Sequence, residues 1–169
     1  MLIVAVTNQK GGVGKTTTTY HLARAASLRG LRVLVIDLDP QGNLSDSLVE
    51  LEDGQAGMAD ALSSRSECSL GDVIVPTRWD QVHLAPSGAD ALAAVRDELV
   101  TVAFGRERRL AAQLETVGDA FDLVLIDCAP ALDTLTANAL AVADGVLVVT
   151  QSRLYSASGL AHLLDAVEA

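Results

Sequence analysis

The sequence predicts an α/β fold: a three-layer sandwich, with a mostly parallel sheet between helices on both faces, in a single domain of 169 residues. Three observations lead there. Short, nearly continuous apolar runs recur at 2–7, 32–39, 82–85, 123–127 and 145–150. Strands buried on both faces read this way, without the alternation of a half-exposed sheet. Helix-like stretches separate the runs, as in βαβ units. Half of the residues are apolar but only 3% are aromatic, so the packing is aliphatic, which suits helices laid on a buried parallel sheet.

Taken in order, Leu2–Thr7 reads as a buried strand and a glycine-rich loop follows it. A helix is expected over 16–28, with Tyr20, Leu22, Ala23, Ala26 and Leu28 facing inward. Gly30 ends it, as a glycine just past a helix often does. The run 32–39 is a second strand and finishes in carboxylates, after which Pro40 and Gly42 force a turn. Short helices are expected at 44–51 and 57–63, while 69–75 fits either state. A short strand at 82–85 precedes helices at 90–100 and 106–117. A strand at 123–127 ends in Asp127, followed by a helix at 133–142, a strand at 145–150 and a last helix from Ser156 to the end. In parallel α/β sheets, ligands bind at the carboxyl ends of strands. The loop at 8–15, the carboxylates Asp37 and Asp39, and Asp127 all lie at such ends, so three segments converge on one edge.

The loop holds both lysines of the chain, in the run Lys10-Gly11-Gly12-Val13-Gly14-Lys15-Thr16-Thr17. A strand, a glycine turn and a helix start together make a phosphate site, because glycines let backbone N–H groups approach the oxygens and unpaired helix-start donors face the anion. In such a P-loop, Lys15 reaches the β- and γ-phosphates and the Thr16 hydroxyl binds Mg²⁺. The usual spacing requires a glycine at position 9, where Gln9 stands; glycines appear instead at 11 and 12, behind Lys10. Asp127 follows four apolar residues and would hold Mg²⁺ through water. Strand alternation places Asp37 and Asp39 on one side of their strand. Two carboxylates there are costly unless a cation or a water uses them.

Composition bounds the function further. The net charge is −10, so the overall field does not attract nucleic acid. Cys68 and Cys128 form no metal-ligand pattern, and a reduced, cytoplasmic setting is expected. The start of the chain lacks the basic region of a signal peptide, and no apolar run has membrane-spanning length. Arg106, Arg108 and Arg109 form the densest basic cluster and read as a solvated helix face. His21, His83, His162, Trp79 and Cys128 read as surface or packing residues, and Arg153 as an uncertain interface candidate.

The loop resembles the deviant Walker A motif, K-G-G-x-G-K-[ST], of the ParA/MinD family of P-loop NTPases. Asp37-Leu38-Asp39-Pro40-Gln41-Gly42-Asn43 matches the D-x-D-P-Q-G-N signature of the ParA (Soj) partitioning branch. Leu84-Ala85-Pro86-Ser87-Gly88, Ile126-Asp127-Cys128-Ala129-Pro130 (with Ala129 in place of a proline), Leu135 to Leu140, Gln151 and Gly159-Leu160 continue the likeness. The likeness implies an ATP- and Mg²⁺-dependent ATPase in plasmid or chromosome partitioning, working as an ATP-dependent homodimer. By it, residues 10–17 bind nucleotide, Lys10 crosses to the partner's nucleotide, Asp39 orients the attacking water, and Asp37 lies near the Mg²⁺ shell held by Thr16 and Asp127. A ParB-like centromere-binding protein is the implied partner. The likeness also implies that the carboxyl-terminal third is missing. That part usually carries the adenine pocket and the basic surface for non-specific DNA, and nucleoid association depends on it. Two alternatives stay open. One is a MinD-like positioning ATPase, which needs a terminal membrane helix that this acidic, lysine-free end does not resemble. The other is a shortened module that binds a partner without hydrolysis. A nitrogenase-reductase-like reading is disfavoured, because Cys68 and Cys128 lack its cluster-bridging context.

Overall fold

The computed structural model describes residues 1–151. The helix expected from Ser156 onward, together with Arg153, His162 and Gly159-Leu160, lies outside the described residues. Six strands form one sheet: β1 (Leu2–Thr7), β2 (Val33–Leu38), β3 (Val75–Pro76), β4 (Val82–Ala85), β5 (Leu123–Cys128) and β6 (Gly145–Val148). Their spatial order is β3-β4-β2-β5-β1-β6, all parallel except the edge pair β3–β4. The chain places β5 between β1 and β2, so the ends of those three strands lie side by side.

Two cores sit on the two faces, as a three-layer sandwich requires. On one face, α1 (Lys15–Ser27) and α2 (Asn43–Leu48) set Ala23, Ala26, Leu44 and Leu48 against Val33, Val35, Val82, Leu84 and Leu125. On the other, α3 (Met58–Leu62), α4 (Leu70–Val73), α5 (Asp90–Thr101), α6 (Arg109–Glu115) and α7 (Thr134–Val142) cover Ile3, Ala5, Leu34, Ile36 and Val124. The predominantly aliphatic run of β2 is buried along its whole length, Asp37 included.

Several expected boundaries shift. The inward face of α1 is Lys15, Thr19, Ala23 and Ala26, whereas Leu22 and Leu28 are exposed and Tyr20 is half-buried. Spacings of four, four and three trace one helical stripe, and small residues on it let α1 lie close to the sheet. The helix expected over 44–51 stops at Leu48, because Val49 turns extended. The ambiguous stretch at 69–75 becomes α4 and the short antiparallel β3, with Ser69 and Asp72 forming a capping box at the start of α4. The helix expected at 106–117 opens as a 3₁₀ turn, Arg106–Arg108, before α6. The strand at 145 ends at Val148 rather than Thr150.

Candidate nucleotide site

The loop between β1 and α1 is built for an anion. Gly12 and Gly14 take φ of 70° and 99°, a region that L side chains rarely enter. Gly14 stands immediately before α1, and its carbonyl accepts the first helical bond, from Thr18 N–H at 2.9 Å. From Gly11 through Thr17, no backbone N–H donates to another described residue. Seven consecutive donors, including Val13 and Thr17, are thus left at the start of a 13-residue helix with no acidic side chain in its first turn. Asn8 braces the loop base: its Oδ1 accepts from Lys10 N–H at 3.0 Å and its Nδ2 donates to Val149 O at 2.8 Å. Gln151 Nε2 donates to Gly12 O at 3.2 Å from the far side.

Lys15 is only 7% exposed, and among the described residues neither it nor Lys10 forms an ion pair. A nearly buried cation with no ion-pair partner is costly, and its place among N–H donors is where a bound anion would supply that partner. Lys10 is half-buried, farther out on the same loop.

The carboxylates converge through the strand order. Asp37 of β2 and Asp127 of β5 are in register on adjacent strands, and Val6 of β1 pairs with Asp127 from the other side. Both aspartates are buried. Asp127 accepts from Thr16 Oγ1 at 2.8 Å and from Thr19 Oγ1 at 3.1 Å. Asp37 accepts from Ser45 N–H at 2.9 Å, Ser45 Oγ at 2.7 Å and Asp39 N–H at 3.1 Å. Asp39 lies one residue past the end of β2, half-exposed, and accepts from Gln41 N–H at 3.0 Å. An open cleft of about 660 Å³ is lined by the glycine loop, Thr16, Thr17, Asp39, Gln41, Asn43 and Pro130, among others.

Burial pushes Asp37 up to about 6, against the hydrogen bonds from Ser45 and Asp39. Burial pushes Asp127 up to about 7; Thr16 opposes this and the neighbouring Asp37 charge adds to it. Two buried acids side by side resist ionising together unless a cation joins them. The donors around Asp127, a hydroxyl and carboxylate oxygens, are the hard oxygen set that Mg²⁺ takes. Among the described residues no group of three His, Cys, Asp or Glu side chains could by itself hold a metal ion.

These shifts set a stability prediction. A carboxyl held more acid-weak in the folded state than in the unfolded chain stabilises below its unfolded pKa, and that stabilisation is lost as pH rises through the folded value. The window therefore runs from about 4 to about 7 for the pair. Between pH 5 and pH 8 the nucleotide-free protein should lose on the order of 2 kcal/mol, lowering Tm by roughly 4–8 °C for a chain of this size. Thermal melts at constant ionic strength check this, and a Tm that rises over that interval contradicts it. Asp122, held down to about 2 by Arg32, acts below that window.

The loop, Asp37, Asp39 and Asp127, expected at one edge of the sheet, lie together there. The structure adds Ser45, Thr19 and Asn8, whose hydroxyl and amide groups hold those residues. Their only signal was position: Thr19 lies one helical turn past Lys15, and Ser45 lies just inside the helix after the acidic turn. Cys128 is fully buried at the end of β5, and burial pushes its thiol pKa up, so it packs and does not react. Trp79 and Tyr20 meet edge to face at 4.6 Å, with Arg24 and Arg78 near the Trp79 ring. His83 meets Phe121 edge to face at 5.6 Å. Arg106 and Arg108 are exposed, as a solvated face would be. Among the described residues, no helix is long and apolar enough to cross a membrane.

Comparison with known proteins places the fold. A family model described as an AAA domain matches residues 1–169. The sporulation initiation inhibitor protein Soj of Bacillus subtilis is 40% identical over 166 residues, 98% of this chain and 64% of its own length. The chromosome partitioning protein ParA of Caulobacter vibrioides is 39% identical over 169 residues, covering 62% of that protein. An uncharacterized Mycobacterium tuberculosis protein is 42% identical over 52% of its length. The chain thus spans about half to two-thirds of the length of the curated relatives it matches. Among solved structures, a Mycobacterium smegmatis cobyrinic acid a,c-diamide synthase with bound ADP and magnesium superposes with a TM-score of 0.89 at 36% identity, over 99% of this chain and 67% of that one. A Cyanothece McdA variant in complex with ATP superposes with a TM-score of 0.91 at 25% identity, over 99% of this chain and 63% of that one. With the glycine loop, the acidic strand ends and the parallel sheet all in agreement, the chain belongs to the ParA/Soj family of P-loop ATPases.

Proposed function

We propose that this chain binds ATP with Mg²⁺, hydrolyses it, and works as a nucleotide-dependent dimerisation switch in DNA partitioning. The single observation that carries the reading is Lys15: a buried cation that, among the described residues, has no ion-pair partner and stands with seven N–H donors that bond to none of them, beside the Thr16–Asp127 hydrogen bond. That arrangement fits the β- and γ-phosphates with a metal at their side. The solved relatives with ADP and magnesium or with ATP support the same choice of ligand. Partitioning is supported by the similarity to chromosome partitioning ParA proteins.

In this reading the backbone of Gly11 to Thr17 cradles the phosphates, and Lys15 spans the bond to be broken. Thr16 and Asp127 would hold Mg²⁺, with Asp37, in register beside Asp127, near its shell. The metal, when bound, neutralises charge on the β- and γ-oxygens. Asp39, on the cleft wall, orients a water toward the γ-phosphorus. The P–O bond to the β-phosphate breaks, ADP leaves with that oxygen, and the water becomes part of inorganic phosphate. Positioning dominates such a reaction, so Asp39 need not be a strong base. Lys10 reaches the nucleotide of a second copy. A ParB-like protein would stimulate turnover, and DNA would bind the assembled state. Titration calorimetry with ATP and with ADP, each with and without Mg²⁺, followed by phosphate release, tests the reading. Tight Mg²⁺-dependent binding with slow release is expected. Absence of nucleotide binding in Mg²⁺ sinks it.

A further inference from the structure

Asp39 lies outside the sheet ladder that aligns the other site residues. The β2–β5 pairing ends at Leu38 with Cys128, and the β2–β4 pairing ends at Ile36 with Ala85. Its backbone is held otherwise: its carbonyl accepts from Gly42 N–H at 2.9 Å, within its own turn, and from Ser87 Oγ at 2.7 Å, across from the turn that follows β4. We propose that Ser87 is a positioning residue for Asp39, fixing the carboxylate that orients water in the proposed hydrolysis. The proposal rests on the functional reading above and adds a residue to it.

Ser87 is 1% exposed, and hydrogen bonds hold its backbone on two sides. Its N–H donates to Ser45 Oγ at 3.0 Å, and that hydroxyl donates onward to Asp37. One chain of bonds thus joins Asp37, Ser45, Ser87 and the Asp39 carbonyl. On its other side the turn is clamped to α3: Pro86 O accepts from Met58 N–H at 2.6 Å and Ser87 O accepts from Ala59 N–H at 3.2 Å. The approach is close enough that a Cβ at Gly57 would lie 2.6 Å from Pro86 O, and one at Gly88 would lie 2.9 Å from the Ala59 Cβ. Ala89 follows at φ 49° and ψ −122°, an unfavourable conformation for a residue with a side chain. Local strain of this kind persists only where the surroundings over-determine it. The Ser87 hydroxyl is therefore presented from a fixed frame, and it steadies a turn that has no ladder of its own.

Deleting the hydroxyl leaves the Asp39 carbonyl bonded to Gly42 N–H, so the fold should survive Ser87→Ala. Two readouts on the whole chain test the role. In steady-state hydrolysis, Ser87→Ala should lower kcat by about tenfold while KM and the ATP dissociation constant stay within about twofold, because misplacing a group costs rate more than binding. In hydrogen exchange of nucleotide-free protein, the Gln41 and Gly42 amides should exchange roughly tenfold faster, with residues 33–38 of β2 unchanged. Ser87→Thr, which keeps a hydroxyl, should recover most of both. Unchanged exchange at 41–42 in Ser87→Ala overturns the proposal, as does faster exchange spread evenly over β2 and β4. Should wild type bind ATP but release no phosphate, the hydrolytic reading fails, and exchange alone decides whether Ser87 holds the turn.

Discussion

Lys15→Ala should lose ATP affinity by roughly a hundredfold, the equivalent of about 3 kcal/mol from charge-assisted bonds to phosphate. The variant should also be as stable as wild type without nucleotide, or more stable. That second expectation separates a ligand-binding lysine from a structural one. Among the described residues the Lys15 ammonium has no ion-pair partner, and it is nearly buried. Removing a nearly buried charge that no ion pair compensates relieves a cost, set against the through-space attraction to Asp127 that is lost with it. Its loss withdraws one opposing charge from Asp127, which then holds its proton more readily. Calorimetry with ATP and Mg²⁺, paired with a thermal melt of nucleotide-free protein, reads both effects. Unchanged affinity would remove Lys15 from the site. Lowered affinity with a large fall in Tm would make it a structural residue.

Asp39→Ala should separate binding from turnover. Phosphate release should fall by about 10²–10³-fold, the scale of losing a residue that places a reacting group, while ATP affinity should hold within a fewfold. The Asp39 side chain accepts only from Gln41 N–H among the described residues, and the turn keeps its backbone bonds to Ser87 and Gly42. Little of the fold depends on the carboxylate, so the loss belongs to the reaction. With hydrolysis blocked, any ATP-dependent assembly should persist instead of decaying as ATP is consumed. Turnover of Asp39→Ala near the wild-type rate would assign the water to another group on the cleft.

Much of the architecture was legible because its signals are local. Apolar runs as continuous as 33–38 and 123–127 permit little but buried strands, and the glycines at 12 and 14 mark turns that only a residue without a side chain takes easily. The strand order was not legible. Nothing local says that β5 enters between β1 and β2, yet that insertion sets Asp37 beside Asp127. The inward face of α1 was legible in part: Ala23 and Ala26 face the sheet as expected, but hydrophobicity also favours Leu22 and Leu28, where the close approach to the sheet selects Thr19 instead. Ser45, inside α2, and Ser87, in the turn after β4, carry little signal as single serines. Their importance comes from tertiary contacts between segments 42 residues apart.

Mass in solution tests the central claim most directly, that the glycine loop binds a triphosphate shared by two copies of the chain. Light scattering on wild type should show 17.6 kDa without nucleotide or with ADP, and twice that with ATP and Mg²⁺. Lys10→Ala should bind ATP and stay at the mass of one chain. A wild-type mass indifferent to ATP at saturating occupancy, or a Lys10→Ala dimer as strong as wild type, would contradict the account.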